Sequence, residues 1–289
     1  MSISYVINKN QGGISLNYIT LNNGTKMPQL GFGVWKIENK NMPAVLNNAF
    51  NTGFRSIDTA SVYENEEGVG EGIAKSNISR DDLFITTKVR NKDHGYDNTL
   101  KAFEESLKKL KLDYVDQYLV HWPMPQVDKF IETYKALEKL YTEGRVRAIG
   151  VCNFTDEHLS RLMDECEIIP TVNQVECHVY LQQQKLKDFC QKHNIFLEAW
   201  SPLMQGEALQ EKIIKEIANK YKKTAAQIII RWHLQNKTIV IPKSSTSSRI
   251  AENYDVFDFE LDNDSMDRIA SLDKEKRQGP HPDNMNILE

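Results

Sequence analysis

"FRSIDTASVYENEEGVGEGI" (residues 54–73) runs from a short apolar strand into a helical segment and places polar side chains where the strand ends. Asp58 is the last residue of the strand, and Tyr63 follows five residues later. A single acid at such a position is ordinarily the N-cap of the next helix. If several strands end in the same way, however, the polar ends indicate a site that the fold assembles.

The same order of strand and helix recurs along the chain. Apolar, β-branched runs predict eight strands: "LGFG", "RSID", "LFITTKV", "YVDQYLVHW", "VRAIGVCNF", "TVNQVEC", "IFLEAW" and "TIVIPKS". The segments between them have apolar residues at three- and four-residue steps, as in "DNTLKAFEESLKKL", where we expect Asp97 to be the N-cap. Eight strand–helix units in about 250 residues predict a (β/α)8 barrel, the TIM barrel.

The N-terminal region predicts a hairpin in front of this barrel. "YITL" and "MPQLGFGV" flank "NNGTK", whose Asn-Gly pair favours a tight turn. We expect the hairpin to close the bottom of the barrel. Residues 1–16 show no sustained periodicity and are predicted to be a loosely attached extension, which leaves residues 17–289 as one domain.

A doubly wound open sheet is the alternative fold. Two glycine clusters, "GFGVWK" and "GVGEGI", suggest dinucleotide binding, but neither has the GxGxxG spacing of that fold. The second cluster also lies within a helical segment, whereas the fingerprint belongs at a turn from strand to helix. The barrel is therefore the favoured prediction.

Composition excludes several classes of function. The 289 residues carry a net charge of -4, which gives no general electrostatic reason for binding nucleic acid or an anionic membrane. The four cysteines form no CxxC pair, and no apolar run approaches the roughly 20 residues of a membrane span. Without a signal peptide or a coiled coil, we expect a soluble cytoplasmic monomer.

Polar residues also end the strands that follow Asp58. Lys88 ends the third strand and His121 the fourth, and a barrel gathers these ends on one face. Taken alone, each residue has an ordinary explanation as a cap, a solvated group or a packing residue. Together, Lys88 would lower the pKa of Tyr63, Asp58 would keep Lys88 charged, and His121 would orient a carbonyl. The set suits delivery of a proton to an oxygen that is becoming an alkoxide.

A metal-dependent hydrolase or isomerase is the alternative for this rim. Asp58, His121, Glu176 and His178 could supply oxygen and nitrogen ligands. Lys88 would repel a cation, however, and the chain has no HExxH or HxH pair. We therefore predict no metal.

The last strand predicts an anion site. In "TIVIPKSSTSSRIAENYDVF", Lys243 is followed by a Ser/Thr run and by Arg249 in the first turn of a helix. The N–H groups at a helix N-terminus favour a phosphate, and the loops after the seventh and eighth strands usually hold one in such barrels. A plain serine N-cap followed by an exposed arginine is the other explanation.

Several motifs, in this order, resemble the aldo-keto reductase family: "GFRSIDTASVYENEEGVGEGI", "TTKV", "DYVDQYLVHWP", "IGVCNF", "NQVECH", "WSPL" and "IPKSSTSSRIAEN". The resemblance extends over residues 18–287 and is greatest to the bacterial branch of 2,5-diketogluconate, glyoxal and prostaglandin F-type reductases. It implies a (β/α)8 barrel that binds NADP(H) without a Rossmann motif. It also implies that the tail "RQGPHPDNMNILE" forms a C-terminal loop over the active site.

The resemblance implies a role for each residue of a catalytic tetrad. Tyr63 is the general acid of reduction, Lys88 lowers its pKa, Asp58 supports Lys88, and His121 orients the carbonyl. The positions that match the wall of the substrate pocket are Trp35, Tyr63, His121 and Trp122. The expected activity is NADPH-dependent reduction of small aldehydes and ketones such as glyoxals, aromatic aldehydes or keto-sugars. A non-catalytic NADPH-binding subunit remains the alternative.

The resemblance also implies a cofactor site in two parts. Cys152, Asn153 and Gln174 match the ligands of the nicotinamide carboxamide, and Trp200 takes the place of the aromatic residue that stacks on the nicotinamide ring. The remaining positions match contacts to the pyrophosphate (Ser201, Leu203), the 2′-phosphate (Lys243, Ser244, Arg249) and the adenine (Glu252, Asn253).

Overall fold

The computed structural model describes residues 6–7 and 17–288. Its main sheet has eight parallel strands, which lie side by side in the order in which they occur along the chain. A parallel bridge between Leu30 and Val240 joins the two ends of the sheet. The sheet is therefore closed, and the predicted (β/α)8 barrel is confirmed. The strands are β4 (Phe32–Gly33), β5 (Ser56–Asp58), β6 (Phe84–Val89), β7 (Val115–Val120), β8 (Val146–Cys152), β9 (Val172–Glu176), β10 (Phe196–Trp200) and β11 (Ile239–Val240).

Helices surround the barrel and cover the outer face of its strands, while side chains that fill the barrel bury the inner face. Every residue of β6, β7 and β9 is buried, as expected for parallel strands that helices cover. In the described residues, no helix is long and apolar enough to cross a membrane. The helices are α1 (Met42–Thr52), α2 (Glu66–Ala74), α3 (Tyr96–Leu110), α4 (Phe130–Thr142), α5 (Asp156–Glu165), α6 (Gln184–Lys192), α7 (Lys212–Tyr221), α8 (Ala225–Gln235), α9 (Ser247–Tyr254) and α10 (Asn263–Ala270).

The N-cap predicted for α3 is wrong. Gly95 precedes the helix with φ 103°, and Asp97 lies inside the first turn. Glycine adopts this backbone angle without a steric cost, so the chain enters the helix two residues earlier than the acid. Asp97 instead places its negative charge near the positive end of the helix dipole.

A hairpin closes the bottom of the barrel, as predicted. Strands β2 (Asn17–Thr20) and β3 (Lys26–Pro28) pair antiparallel, and Gly24 takes φ 86° in the turn between them. Apolar hairpin residues pack against the first residues of three barrel strands: Ile19, Leu21 and Met27 against Phe84, Val172 and Ile239. The extension predicted for residues 1–16 lies outside the described residues, apart from the short strand β1 (Val6–Ile7), which pairs with β2.

The glycine cluster "GVGEGI" packs helices against each other. It lies in α2, and a Cβ atom on Gly70 would be 2.3 Å from the carbonyl oxygen of Leu110 at the end of α3. A Cβ on Gly72 would be 2.6 Å from a methyl carbon of Leu46 in α1. These glycines allow close approach of neighbouring helices. Helix packing therefore accounts for the glycine cluster, and nucleotide binding is not needed to explain it.

We expect Gly70→Ala to destabilise the barrel. Alanine favours a helix by about 1 kcal/mol over glycine, but overpacking against the Leu110 backbone should cost about 1–3 kcal/mol and local displacement. Chemical denaturation should show a lower free energy of unfolding than wild type. Glu71→Ala, at the exposed neighbouring position of the same helix, is the control. Equal or greater stability of Gly70→Ala would contradict this account of the packing.

Candidate active site

The four predicted catalytic residues meet at the carboxyl ends of neighbouring strands. Asp58 ends β5, Lys88 lies near the end of β6, and His121 directly follows β7. Tyr63 comes from the short turn after β5. The Nζ atom of Lys88 lies 2.7 Å from Oδ1 of Asp58 and 3.5 Å from the hydroxyl oxygen of Tyr63. Asp58 therefore bonds to lysine and does not cap the next helix.

Lys88 is a fully buried cation, with a relative exposure of 0%. Its ammonium also donates to the carbonyl oxygen of Thr59 at 2.9 Å. Burial acts to lower the pKa of Lys88, but the Asp58 carboxylate, together with the Tyr63 hydroxyl and the Cys152 thiol, gives a net rise. The raised pKa favours the ammonium form of Lys88 at neutral pH.

The pKa of Tyr63 differs from the prediction. Burial raises the pKa of this phenol to about 12, although Lys88 acts to lower it and Asp58 to raise it further. The expected lowering is thus present as a contribution, but burial of the ring exceeds it. Tyr63 remains protonated across the neutral range, which is the form that can give a proton away.

His121 faces Tyr63 as a neutral ring. The two ring centroids lie 6.0 Å apart in an edge-on arrangement. Burial, and then the charge of Lys88, hold the pKa of His121 well below its usual value. The Nδ1 atom is buried without a hydrogen-bond partner among the described residues. A neutral imidazole next to the phenol can donate one hydrogen bond to a substrate oxygen.

A second carboxyl group lies beneath the tetrad. The Nε2 atom of Gln174 donates to Oδ2 of Asp58 at 2.8 Å and to Oε2 of Glu198 at 3.1 Å. Gln174 was expected at the nicotinamide, whereas the motifs gave no indication of Glu198. The signal was an acid in the middle of "FLEAW", a strand that is otherwise apolar. Gln174 thus links the Asp58 carboxylate to a residue that the motifs did not identify.

The residues matched to the nicotinamide form a connected wall. The Asn153 amide donates to the carbonyl oxygen of His121 at 3.0 Å and accepts from the Trp200 indole at 2.8 Å. Asn153 has φ 62°, a left-handed conformation that asparagine tolerates better than most residues. Cys152 is fully buried behind this wall, so its side chain has no surface open to a ligand.

The other predicted cofactor residues lie where an anion would be stabilised. In the described part of the chain, neither Lys243 nor Arg249 has a carboxylate partner in an ion pair. Burial, and then the charge of Lys36, lower the pKa of Lys243. The N-cap of α9, Thr246, makes no side-chain capping bond, which leaves the helix N-terminus open to a ligand. Unbalanced positive charge beside such a helix end suits a phosphate.

Five further predicted cofactor positions lie next to Lys243, in α9, or directly after β10. The Ser244 hydroxyl accepts from the backbone of Thr246, and the Glu252 carboxylate accepts from the Thr224 hydroxyl at 2.7 Å. Asn253 is buried in α9. Ser201 and Leu203 follow β10, and Ser201 has a left-handed φ of 51°.

Glu176 and His178 hold the C-terminal tail. The Glu176 carboxylate lies 3.0 Å from Nε2 of His178 and accepts from the backbone N–H groups of Gln278 at 2.6 Å and Gly279 at 3.0 Å. Burial acts to raise the pKa of Glu176, but these hydrogen bonds give a net lowering. Among the described residues, no three His, Cys, Asp or Glu side chains are grouped to hold a metal.

The tail lies over the mouth of the barrel, as predicted. Met285 packs with Trp122, Met124 and Trp200, so Trp122 is buried under the tail. Trp35, the other predicted pocket residue, is 44% exposed at the rim. The two tryptophans therefore occupy different parts of the mouth.

A closed barrel with a tyrosine, lysine, aspartate and histidine at one mouth suits an oxidoreductase, and comparison with known proteins identifies the protein family. The family model for the aldo/keto reductase family matches residues 28–274. The chain belongs to this family.

Relatives of known name match this chain in sequence over almost its whole length. Glyoxal reductase of Bacillus subtilis (strain 168) is 52% identical over 268 residues, which cover 92% of this chain and 96% of the relative. Methylglyoxal reductase DkgA of Escherichia coli (strain K12) is 49% identical over 267 residues, with the same coverage of 92% and 96%. A crystal structure of a Gox0644 mutant in complex with NADPH has a TM-score of 0.91 at 46% identity, covering 94% of this chain and 99% of that one.

We expect Gly279→Ala to release the tail. A Cβ atom at this position would lie 2.6 Å from Cη2 of Trp200 and 3.2 Å from an oxygen of Glu176, so the tail must lift or the indole must tilt. Trypsin should then cleave after Arg277 faster than in wild type, which mass spectrometry can follow. Asn284→Ala, an exposed position in the same tail, is the control. Equal cleavage rates in all three proteins would show that the contact does not restrain the tail.

Proposed function

We propose that this chain reduces small aldehydes and ketones with NADPH, and that Tyr63 is the general acid. The observation that carries the proposal is the buried ammonium of Lys88, which contacts the Asp58 carboxylate and the Tyr63 hydroxyl at one strand-end mouth. Members of the aldo/keto reductase family use NADP(H), and a relative's crystal structure is described as a complex with NADPH.

The residues of the mouth fit this cofactor. When bound, NADPH supplies the hydride. The half-buried Trp200 indole would stack on its ring, while Asn153 and Gln174 offer amide groups to a carboxamide. At the other end, Lys243 and Arg249 offer positive charge without a carboxylate partner in the described structure. The 2′-phosphate is the group that this charge would recognise.

Tyr63 can give its proton to the product oxygen. An alcohol is about as weak an acid as water and weaker than a phenol. A phenol with a pKa of about 12 is therefore the stronger acid, and transfer to an alkoxide is favourable. The Lys88 ammonium stabilises the phenolate that remains, and Asp58 holds this ammonium in place. Neutral His121 would donate to the same substrate oxygen and fix its position.

The names of the relatives suggest the first substrates. They are a glyoxal reductase and a methylglyoxal reductase, and the mouth of this barrel is lined by Trp35, Trp122 and Trp200. We therefore propose small 2-oxoaldehydes, with aromatic aldehydes and keto-sugars as further candidates. Loss of NADPH absorbance on adding methylglyoxal tests this. If neither methylglyoxal nor any aromatic aldehyde or keto-sugar tested in the same way consumed NADPH, the proposed function would be rejected.

We also propose that residues 17–289 form one domain that acts as a cytoplasmic monomer. The barrel closes on itself through the bridge from Leu30 to Val240. The four cysteines are all free, which suits a reducing compartment.

We expect Tyr63→Phe to lose turnover by about 10²–10⁴-fold, the usual contribution of a general acid. NADPH affinity, measured by fluorescence quenching, should stay unchanged because the phosphate site is intact. Tyr96→Phe, an exposed tyrosine on α3, is the control and should keep wild-type turnover. Wild-type turnover in Tyr63→Phe would assign the proton to another group.

We expect Lys243→Met to reduce the efficiency with NADPH by about 10- to 100-fold, the value of a hydrogen bond between charged groups. Efficiency with NADH should change little because NADH has no 2′-phosphate. The comparison uses kcat/KM for both cofactors at one carbonyl concentration. Lys75→Met removes the same charge from an exposed site on α2 and should affect neither cofactor. Equal use of NADPH and NADH by the wild type would reject the phosphate site.

A further inference from the structure

Asp58 and Glu198 share a single amide group in the interior of the barrel. Both carboxyls accept from Nε2 of Gln174, Asp58 at 2.8 Å and Glu198 at 3.1 Å. Asp58 also has the Lys88 ammonium, whereas Oε1 of Glu198 has no partner among the described residues. Glu198 is fully buried, with a relative exposure of 0%. One acid is therefore balanced by a cation and the other is not.

The cluster has one positive charge for two acids. The groups that face Glu198 are Asp58 from β5, Lys88 from β6 and the Cys152 thiol from β8; its partners on β9 and β11, Gln174 and Ile239, do not titrate. A second ionised carboxylate here would be buried with only an amide to stabilise it, at a high cost in free energy. Burial, and then the charge of Asp58, raise the pKa of Glu198 to about 8.

We propose that Glu198 is a positioning residue that must carry a proton for the reduction to run, and that it acts through the Gln174 amide on Asp58. Protonated Glu198 leaves Asp58 as the only carboxylate beneath Lys88. The ammonium then keeps its full effect on the Tyr63 hydroxyl. The inference rests on the proposed function, since it concerns the same proton transfer.

Ionisation of Glu198 should slow the reduction for three reasons. An added negative charge makes Tyr63 a weaker acid, because it opposes formation of the phenolate. The same charge opposes the negative charge that develops on the substrate oxygen in the transition state. In addition, the Gln174 amide would bind the new carboxylate more strongly and Asp58 less strongly. Activity should therefore fall as the pH rises through the neutral to basic range.

The test compares the pH dependence of kcat/KM for methylglyoxal and NADPH in wild type and Glu198→Gln. At pH values above the apparent pKa of Glu198, kcat/KM of the wild type should fall about tenfold per pH unit. Glutamine keeps an oxygen that can accept from Gln174 but cannot ionise, so this loss should vanish in Glu198→Gln. Relative to its own rate near pH 6.5, the variant should exceed wild type at pH 9.5 by about tenfold or more.

Glu66→Gln is the matched control. Glu66 is another buried glutamate, in α2, whose carboxyl accepts from Thr87 and whose pKa is raised, first of all by burial. Its variant should keep the wild-type pH profile. The same fall in Glu198→Gln as in wild type would overturn the proposal, and so would a wild-type profile that stays flat to pH 9.5.

A measurement on wild type decides the matter if Glu198→Gln fails to fold. With glutamate labelled by ¹³C at the carboxyl carbon, NMR should show one carboxyl that titrates with an apparent pKa of about 8 and persists in Glu66→Gln. Absence of any glutamate titrating between about pH 6.5 and 9.5 would overturn the proposal. Absence of carbonyl-dependent NADPH consumption would instead reject the proposed function, which the NMR titration does not depend on.

Discussion

The buried ion pair between Lys88 and Asp58 is the interaction on which the rest of the site depends. An ammonium with no exposed surface can remain charged only if a carboxylate and further acceptors replace its water. Asp58 at 2.7 Å and the carbonyl oxygen of Thr59 at 2.9 Å meet this need. Burial of such a pair contributes little net stability, since desolvation offsets much of the attraction. Its value lies in fixing a permanent positive charge beside the Tyr63 hydroxyl.

The closed barrel makes this pair possible. Asp58 and Lys88 lie on neighbouring parallel strands, where Asp58 is in register with Thr86 and Lys88 lies two residues further on, so both side chains point to the same side of the sheet. The hairpin closes the bottom of the barrel, and the tail, held by Glu176, covers the top. Asp58 and Lys88 are buried as a result, and each charge acts on its neighbours more strongly than at the surface. The raised pKa of Tyr63 and the lowered pKa of His121 both follow from this burial.

The sequence predicted the parts of the site that depend on topology. The carboxyl ends of parallel strands meet at one mouth, so Asp58, Lys88 and His121 could be placed together from their positions in three strands. The sequence did not predict Glu198. An acid inside an apolar strand can face either the barrel interior or the surrounding helices, and only the pairing of β9 with β10 shows that Glu198 lies beside Gln174. Nor did it predict the net pKa of Tyr63, because the depth of burial outweighs the charge that the motif makes visible. Asp97 was misplaced as a cap because the backbone angle of Gly95 decides where α3 begins.

The distribution of charge explains how an acidic protein can hold an anionic cofactor. The net charge of -4 gave no sign of an anion site, yet Lys243 and Arg249 lie beside an uncapped helix end without a carboxylate partner in the described residues. Local geometry decides such binding, because solvent and salt screen the distant acids over about 10 Å. If the 2′-phosphate of NADPH binds there, as proposed, it would lie far along the cofactor from the reacting carbon, and its binding energy could orient the nicotinamide from a distance. The buried ion pair of Lys88 with Asp58 would then serve proton transfer to the substrate oxygen.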